Sequence, residues 1–116
     1  MEFESVIRGR RSIRAYEPEP VPKELIREIL DAARWAPSWR NTQAWNVCLA
    51  AFDRGLGACI VATVIRYPDL LRRLLPGAEG KRFVVPVTLG SPVAGSPANT
   101  FERSRADLDE LVTWVS

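Results

Sequence analysis

The sequence predicts a single domain of the α+β class, covering residues 1–116. Residues 22–35 carry apolar side chains at helical spacing, whereas short runs rich in β-forming residues follow later in the chain. The length of 116 residues is close to the common size of one domain. A content of 47% hydrophobic and 26% charged residues is typical of a globular protein, and no internal repeat is present. One mixed helical and β-structured core is therefore expected.

The first third of the chain predicts two helices. Residues 4–8 suit a short helix, and three prolines in "EPEPVP" then impose an extended connection. A longer helix is predicted from Pro22, because proline is well accommodated in a first helical turn. Pro37 marks its end. Its apolar face consists of Ile26, Ile29, Leu30 and Ala33.

The segment around residues 45–60 is short, apolar and less regular. "WNVCLA", residues 45–50, is rich enough in β-forming residues to predict a strand. "AAFDRGLGAC" predicts the end of a helix that is closed by Gly55 or Gly57. The two tryptophans that flank the preceding polar turn, Trp35 and Trp45, are expected to anchor the core. Cysteines 48 and 59 are expected to be small buried residues.

The remaining third predicts a helix, a strand, a loop and a helical tail. Residues 67–75 form an amphipathic helical pattern that ends at a proline and a glycine. "RFVVPVTLG", residues 82–90, predicts a strand, with Pro86 restricting it to a sheet edge or a bulge. Residues 91–100 have the composition of a loop, and residues 107–114 a short helical pattern.

The composition excludes several function classes. The sequence contains no histidine, which excludes Ser-His-Asp and Cys-His catalysis and removes the commonest transition-metal ligand. Two cysteines provide neither a disulfide framework nor metal-ligand spacing, so no metal site is expected. If the chain is an enzyme, its chemistry is expected from a bound cofactor. With no secretory signal and no apolar run long enough to span a bilayer, a cytoplasmic location without membrane contact is the default expectation.

Four arginines lie within seven residues near the N-terminus, in "RGRRSIR". Three interpretations compete: a solvated charged face, a nucleic-acid arm, and a pocket for a ligand phosphate. Guanidinium groups match phosphate oxygens in a bidentate way, and a serine hydroxyl adds a neutral donor. A net charge of +2 and the absence of interleaved aromatic residues disfavour nucleic-acid binding. Taken alone, the cluster fits a solvated face better than a phosphate pocket.

Five segments, in the same order along the chain, resemble motifs of the FMN-dependent nitroreductases, a family of homodimeric flavin oxidoreductases with an α+β fold. They are "RRSIRAYEPEPVP", "ILDAARWAPSWRNTQAW", "GLGACI", "VVPVTLGSP" and "FERSRADLDELVTW". Each motif alone is weakly specific, but five in the family's order make a strong resemblance. The resemblance implies a nitroreductase-like fold, with helices packed on a small, reduced β-sheet.

The chain also departs from the family's pattern. Family members are substantially longer, and this chain passes from the strand predicted to end near Ala50 directly to the "GLG" turn. The resemblance therefore implies an internal deletion near residues 50–52. The missing part normally supplies strands, helices, part of the dimer interface and flavin contacts. Ala44 stands where the family usually has proline, and residues 61–63 lack the glycine expected beside the flavin ring.

The resemblance assigns cofactor-binding roles but no catalytic side chain and no metal ligand. The residues that it assigns to the FMN phosphate are Arg10, Arg11, Ser12, Arg14, Arg103 and Arg105. Those that it places at the flavin border, across the dimer interface, are Pro37, Ser38 and Trp39. Asn41 and Gln43 would lie close by, with amides able to donate to and accept from the flavin's polar edge.

The function implied is that of an FMN-dependent oxidoreductase. NAD(P)H would reduce the FMN, which would then reduce a nitro-aromatic compound, a quinone or a similar small-molecule acceptor in a ping-pong reaction. A homodimer is expected, and no nucleic-acid partner. The alternative is a non-catalytic remnant, or a small FMN-binding or dimerising module, because a reduced sheet leaves unpaired edges.

Overall fold

Helices packed around a two-stranded sheet form the fold in the computed structural model, which describes residues 1–37 and 43–115. The α+β class predicted above, with helices packed on a small sheet, is confirmed. The helices are α1 (Phe3–Gly9), α2 (Lys23–Arg34), α3 (Ala44–Asp53), α4 (Pro68–Leu74), α5 (Pro97–Thr100) and α6 (Leu108–Leu111), with a 3-10 helix at Ala62–Arg66. The strands are β1 (Gly57–Ile60) and β2 (Val87–Gly90).

The two strands run antiparallel, with Gly57 opposite Gly90 and Ile60 opposite Val87. An extended stretch near the N-terminus, residues 10–17, lies beside this sheet and is named the arginine segment below. The Ile13 amide donates to the Ala58 carbonyl over 3.1 Å. Main-chain bonds also join the segment to residues 91–93, the exit from β2. The arginine segment is therefore held along the sheet by backbone pairing.

Helix α3 lies at the centre of the fold and packs against α1, α2 and both strands. The buried core cluster consists of Ile29, Cys48, Ala51, Leu56 and Ala58. Both cysteines are free and buried, as expected. Burial raises the pKa of the Cys48 thiol, which keeps it in the neutral form that an apolar core accommodates.

The strand predicted at residues 45–50 is wrong, because this segment forms most of α3. Cys48 and Ala51, three residues apart, are both buried on the side that packs into the core. An apolar run of this length fits either a buried strand or a buried helix, and here helix packing against α2 decides. The predicted core roles of the tryptophans are also wrong: Trp35 is 77% exposed and Trp45 is 68% exposed.

Most of the other predicted elements are confirmed. Helices occur at residues 3–9, 23–34 and 68–74, and β2 begins directly after Pro86. Gly55 follows α3 with φ +75°, a conformation that glycine adopts without steric cost and that closes the helix. The helical tail is shorter than predicted, and one helical turn, α5, interrupts the predicted loop at residues 91–100.

Gly57 is not a helix cap but the first residue of β1, where its missing side chain leaves room for the arginine segment. A Cβ at this position would lie 2.6 Å from Cγ1 and 2.7 Å from Cβ of Ile13, which is itself buried. We therefore expect Gly57→Ala to lower the free energy of unfolding by about 1–3 kcal/mol, because Ile13 must move away from the sheet. Urea unfolding measures this change, and an unaltered midpoint would contradict the packing described.

The deletion expected near residues 50–52 stays a prediction, and these positions lie inside the continuous helix α3. Among the helices of the described ranges, none has the length and apolar character needed to cross a bilayer.

Candidate functional site

The C-terminal part of the chain returns to the arginine segment and binds it through guanidinium groups. Arg103 donates to the carbonyl oxygens of Arg8 and Arg10, at the end of α1. In the opposite direction, Nη1 of Arg11 donates to the Phe101 carbonyl over 3.2 Å. These bonds join parts of the chain that lie about ninety residues apart in sequence.

Asn99 holds the arginine segment through three of its four side-chain hydrogen bonds. It is only 6% exposed. Its Oδ1 accepts from the amides of Arg14 and Ala15 at 2.9 and 3.1 Å. Its Nδ2 donates to the carbonyls of Ala15 and Val93 at 2.9 and 3.1 Å. This role of Asn99 was not predicted, because an asparagine in a proline- and glycine-rich stretch is typical of a turn.

Four arginines gather where the two segments meet: Arg10, Arg11, Arg103 and Arg105, named the arginine cluster here. Partial burial and the guanidinium groups of Arg11, Arg105 and Arg10 lower the pKa of Arg103. Across residues 1–37 and 43–115, no carboxylate forms an ion pair with any of these four side chains. Arg8, by contrast, is paired with Glu4 at 2.8 Å. Like charges brought together without a counter-charge favour an anionic ligand.

The phosphate-site candidates outside this cluster are Ser12 and Arg14, and two members of the cluster line a cleft. Ser12 pairs with Ala58 of β1 in a parallel bridge and is half-buried. Arg105 donates to the Ser104 carbonyl over 2.8 Å and lines a cleft of about 320 Å³ together with Arg8 and Arg103. The guanidinium carbon of Arg14 lies 5.6 Å from the centroid of the Phe101 ring.

A mostly apolar cavity of about 380 Å³ opens beside Arg14. Its walls come from the arginine segment, from β1 with the residues that follow it, and from Thr88 of β2. The volume is in the range of small-molecule pockets, and one charged group at the edge of an apolar cavity is a usual arrangement for a ligand that carries an anion. Residues 61–63, which the resemblance places beside a flavin ring, form part of its wall.

The predicted flavin-border residues are only partly described. Ser38, Trp39 and Asn41 lie outside the described residues. Pro37 is exposed at the end of the first described range. Gln43 lines a different groove, of about 400 Å³, between α2, α3 and residues 84–87. In the described parts of the chain, no group of three or more histidine, cysteine or acidic side chains is placed to hold a metal ion.

The sequence model of the nitroreductase family matches residues 7–50. A 4-nitrobenzoate reductase from Nocardioides sp. (strain LMS-CY) is 35% identical over 86 residues, which cover 67% of this chain and 33% of that protein. An NADH dehydrogenase from Thermus thermophilus is 36% identical over 103 residues, covering 89% of this chain and 41% of that protein.

The matched regions span 20% to 41% of the lengths of the first four relatives. Among solved structures, a nitroreductase with bound FMN from Bacteroides fragilis superposes with a TM-score of 0.77. The superposition covers 100% of both chains at 16% sequence identity, which shows the fold. With the family model matching residues 7–50 and the fold of solved nitroreductases around this segment, the chain resembles the nitroreductase family in sequence and in fold.

Proposed function

We propose that this chain is an FMN-dependent oxidoreductase of the nitroreductase type. The observation that carries the proposal is the arginine cluster, which has no carboxylate partner among the described residues. The arginine segment that supplies Arg10 and Arg11 continues to Arg14, which lines a ligand-sized cavity. Support comes from the match of the family model and from the similarity in fold to the Bacteroides fragilis nitroreductase with bound FMN.

The residues present fit a flavin mononucleotide. Guanidinium groups of the arginine cluster would bind the phosphate, and the Ser12 hydroxyl would add a neutral hydrogen bond. Arg14 lines the adjoining apolar cavity, so it connects the basic region with the space proposed for the rest of the cofactor. Pro37, Gln43 and the undescribed Ser38, Trp39 and Asn41 are proposed to border the flavin across the interface of a homodimer.

When bound, FMN would supply the redox chemistry by taking a hydride from NAD(P)H and delivering electrons to a nitro-aromatic compound, a quinone or a similar acceptor. The chain's own tasks would be to neutralise the phosphate, to position the cofactor and to limit the access of water. No side chain is assigned as a catalytic acid, base or nucleophile. The cytoplasmic location stays a prediction.

A second candidate function is an FMN-binding or dimerising module without turnover. The groove between α2, α3 and residues 84–87 favours it, because its apolar side chains are open to solvent. Leu30 is 51% exposed and Val84 is 53% exposed there. Surfaces of this kind are usually covered by further chain or by a partner.

Nucleotide-dependent reduction of the bound flavin separates the two candidates. FMN-loaded protein, mixed anaerobically with NADH or NADPH, is expected to lose its visible flavin absorbance and to regain it when a quinone is added. Chemical reduction with dithionite serves as the control that the bound flavin is reducible. If dithionite bleaches the flavin and neither nucleotide does, the oxidoreductase proposal is wrong and the binding module is favoured.

A further inference from the structure

Two hydroxyl groups face each other in the wall of the cavity beside Arg14. The phenolic oxygen of Tyr16, in the arginine segment, lies 2.7 Å from Oγ1 of Thr88 in β2. The same phenolic oxygen lies 2.7 Å from the Ile13 carbonyl oxygen. Thr88 Oγ1 is also 3.3 Å from the Cys59 carbonyl oxygen. Tyr16 and Thr88 both line the cavity, whose other walls are mostly apolar.

Counting protons determines the direction of these bonds. A carbonyl oxygen only accepts, so the Ile13 contact at 2.7 Å requires the single phenolic proton of Tyr16. The short contact between the two hydroxyl oxygens must then contain the Thr88 proton. Burial raises the pKa of the Tyr16 phenol, so this group is protonated at neutral pH. The longer Cys59 contact at 3.3 Å can share the Thr88 proton only weakly.

Thr88 is left with its proton committed to Tyr16 and with an unused capacity to accept. An exposed hydroxyl in this state suits a ligand group that donates a hydrogen bond, and it disfavours a carboxylate or carbonyl oxygen at the same position. Gly90 leaves the space that the Tyr16 ring occupies, since a Cβ there would lie 2.6 Å from Cδ1 of the ring.

We propose that Thr88, oriented by Tyr16, positions a flavin in this cavity by accepting a hydrogen bond from one of its donor groups. The inference rests on the proposed function. The donor is either a hydroxyl of the ribityl chain or an N–H of the ring system, since both present the same chemistry to Thr88. Tyr16 acts through Thr88 and contributes by fixing the direction of its proton.

The test compares the dissociation constants of FMN, riboflavin and lumiflavin for the wild-type chain, Thr88→Val and Thr88→Ser. Loss of one hydrogen bond is expected to weaken binding to Thr88→Val by about 3- to 10-fold. Thr88→Ser, which keeps the hydroxyl, is expected to restore binding to within about twofold. Weaker binding of FMN and riboflavin but not lumiflavin identifies a ribityl hydroxyl as the donor, whereas weaker binding of all three identifies the ring.

Tyr16→Phe separates positioning from a structural role. This variant removes the acceptor of the Thr88 proton, so it is expected to weaken FMN binding by about 2- to 5-fold when Thr88 is present and to have no further effect in Thr88→Val. A purely structural Tyr16 would weaken binding equally in both backgrounds. Unchanged dissociation constants in Thr88→Val, with wild-type binding of FMN, would overturn this inference and leave the proposed function standing. A wild-type chain that binds none of the three flavins would overturn both.

Discussion

Replacing Arg10 and Arg105 together by alanine is expected to weaken FMN binding by about 100-fold or more, because each substitution removes a charge-assisted hydrogen bond to the phosphate. The two residues belong to the cluster that has no carboxylate partner in the described parts of the chain. Riboflavin lacks the phosphate, so its affinity should change by less than about twofold. Fluorescence titration of both flavins measures the difference.

Arg27→Ala is the matched control, because it removes an exposed arginine from α2 instead of from the cluster. It should leave the affinities for both flavins unchanged. If the double variant of Arg10 and Arg105 binds FMN as tightly as the wild type does, these residues do not bind the phosphate. Equal losses for FMN and riboflavin would show that the substitutions disturb the fold and not a phosphate contact.

Among these substitutions, Asn99→Ala is expected to lower the free energy of unfolding the most. Asn99→Ala leaves two amides and two carbonyls without the side-chain partners that they now have. Unsatisfied buried polar groups are costly, so we expect the free energy of unfolding to fall by about 2–4 kcal/mol. Chemical denaturation monitored by circular dichroism provides the measurement.

Two further variants test whether the hydrogen bonds are the cause. Thr100→Ala alters the neighbouring exposed residue and should change the free energy of unfolding by less than about 0.5 kcal/mol. Asn99→Asp keeps an accepting oxygen but places a second oxygen against the carbonyls of Ala15 and Val93. It should therefore be destabilised as well. Wild-type stability in both Asn99 variants would contradict the role assigned to this side chain.

Local pattern predicted α2 well and α3 badly, and the difference has a physical reason. In α2 the buried Ile29 and Ala33 lie four residues apart, and charged residues occupy other faces of the helix, so the sequence itself marks the buried face. Residues 45–50 are nearly all apolar, so their pattern distinguishes neither face nor period. Only packing against α2 and the sheet determines that they form a helix.

The candidate site likewise combines a feature that the local sequence shows with contacts that only the fold creates. The arginines near the N-terminus were visible as a cluster, yet their meeting with Arg103 became an expectation only through resemblance to a family. The bonds from Asn99 to residues 14 and 15 join positions more than eighty residues apart. No local pattern encodes such a contact, because it depends on how β2 leads the chain back to the arginine segment.

Direct binding of FMN to the purified chain tests the central claim most simply. Protein purified without added flavin is mixed with FMN, and the visible spectrum and the retained flavin are measured after equilibrium dialysis. We expect the chain to retain FMN with a perturbed visible band, and added inorganic phosphate to compete with it. A folded chain that retains no FMN, with the spectrum of the free cofactor, would show that the arginine cluster is not an FMN site.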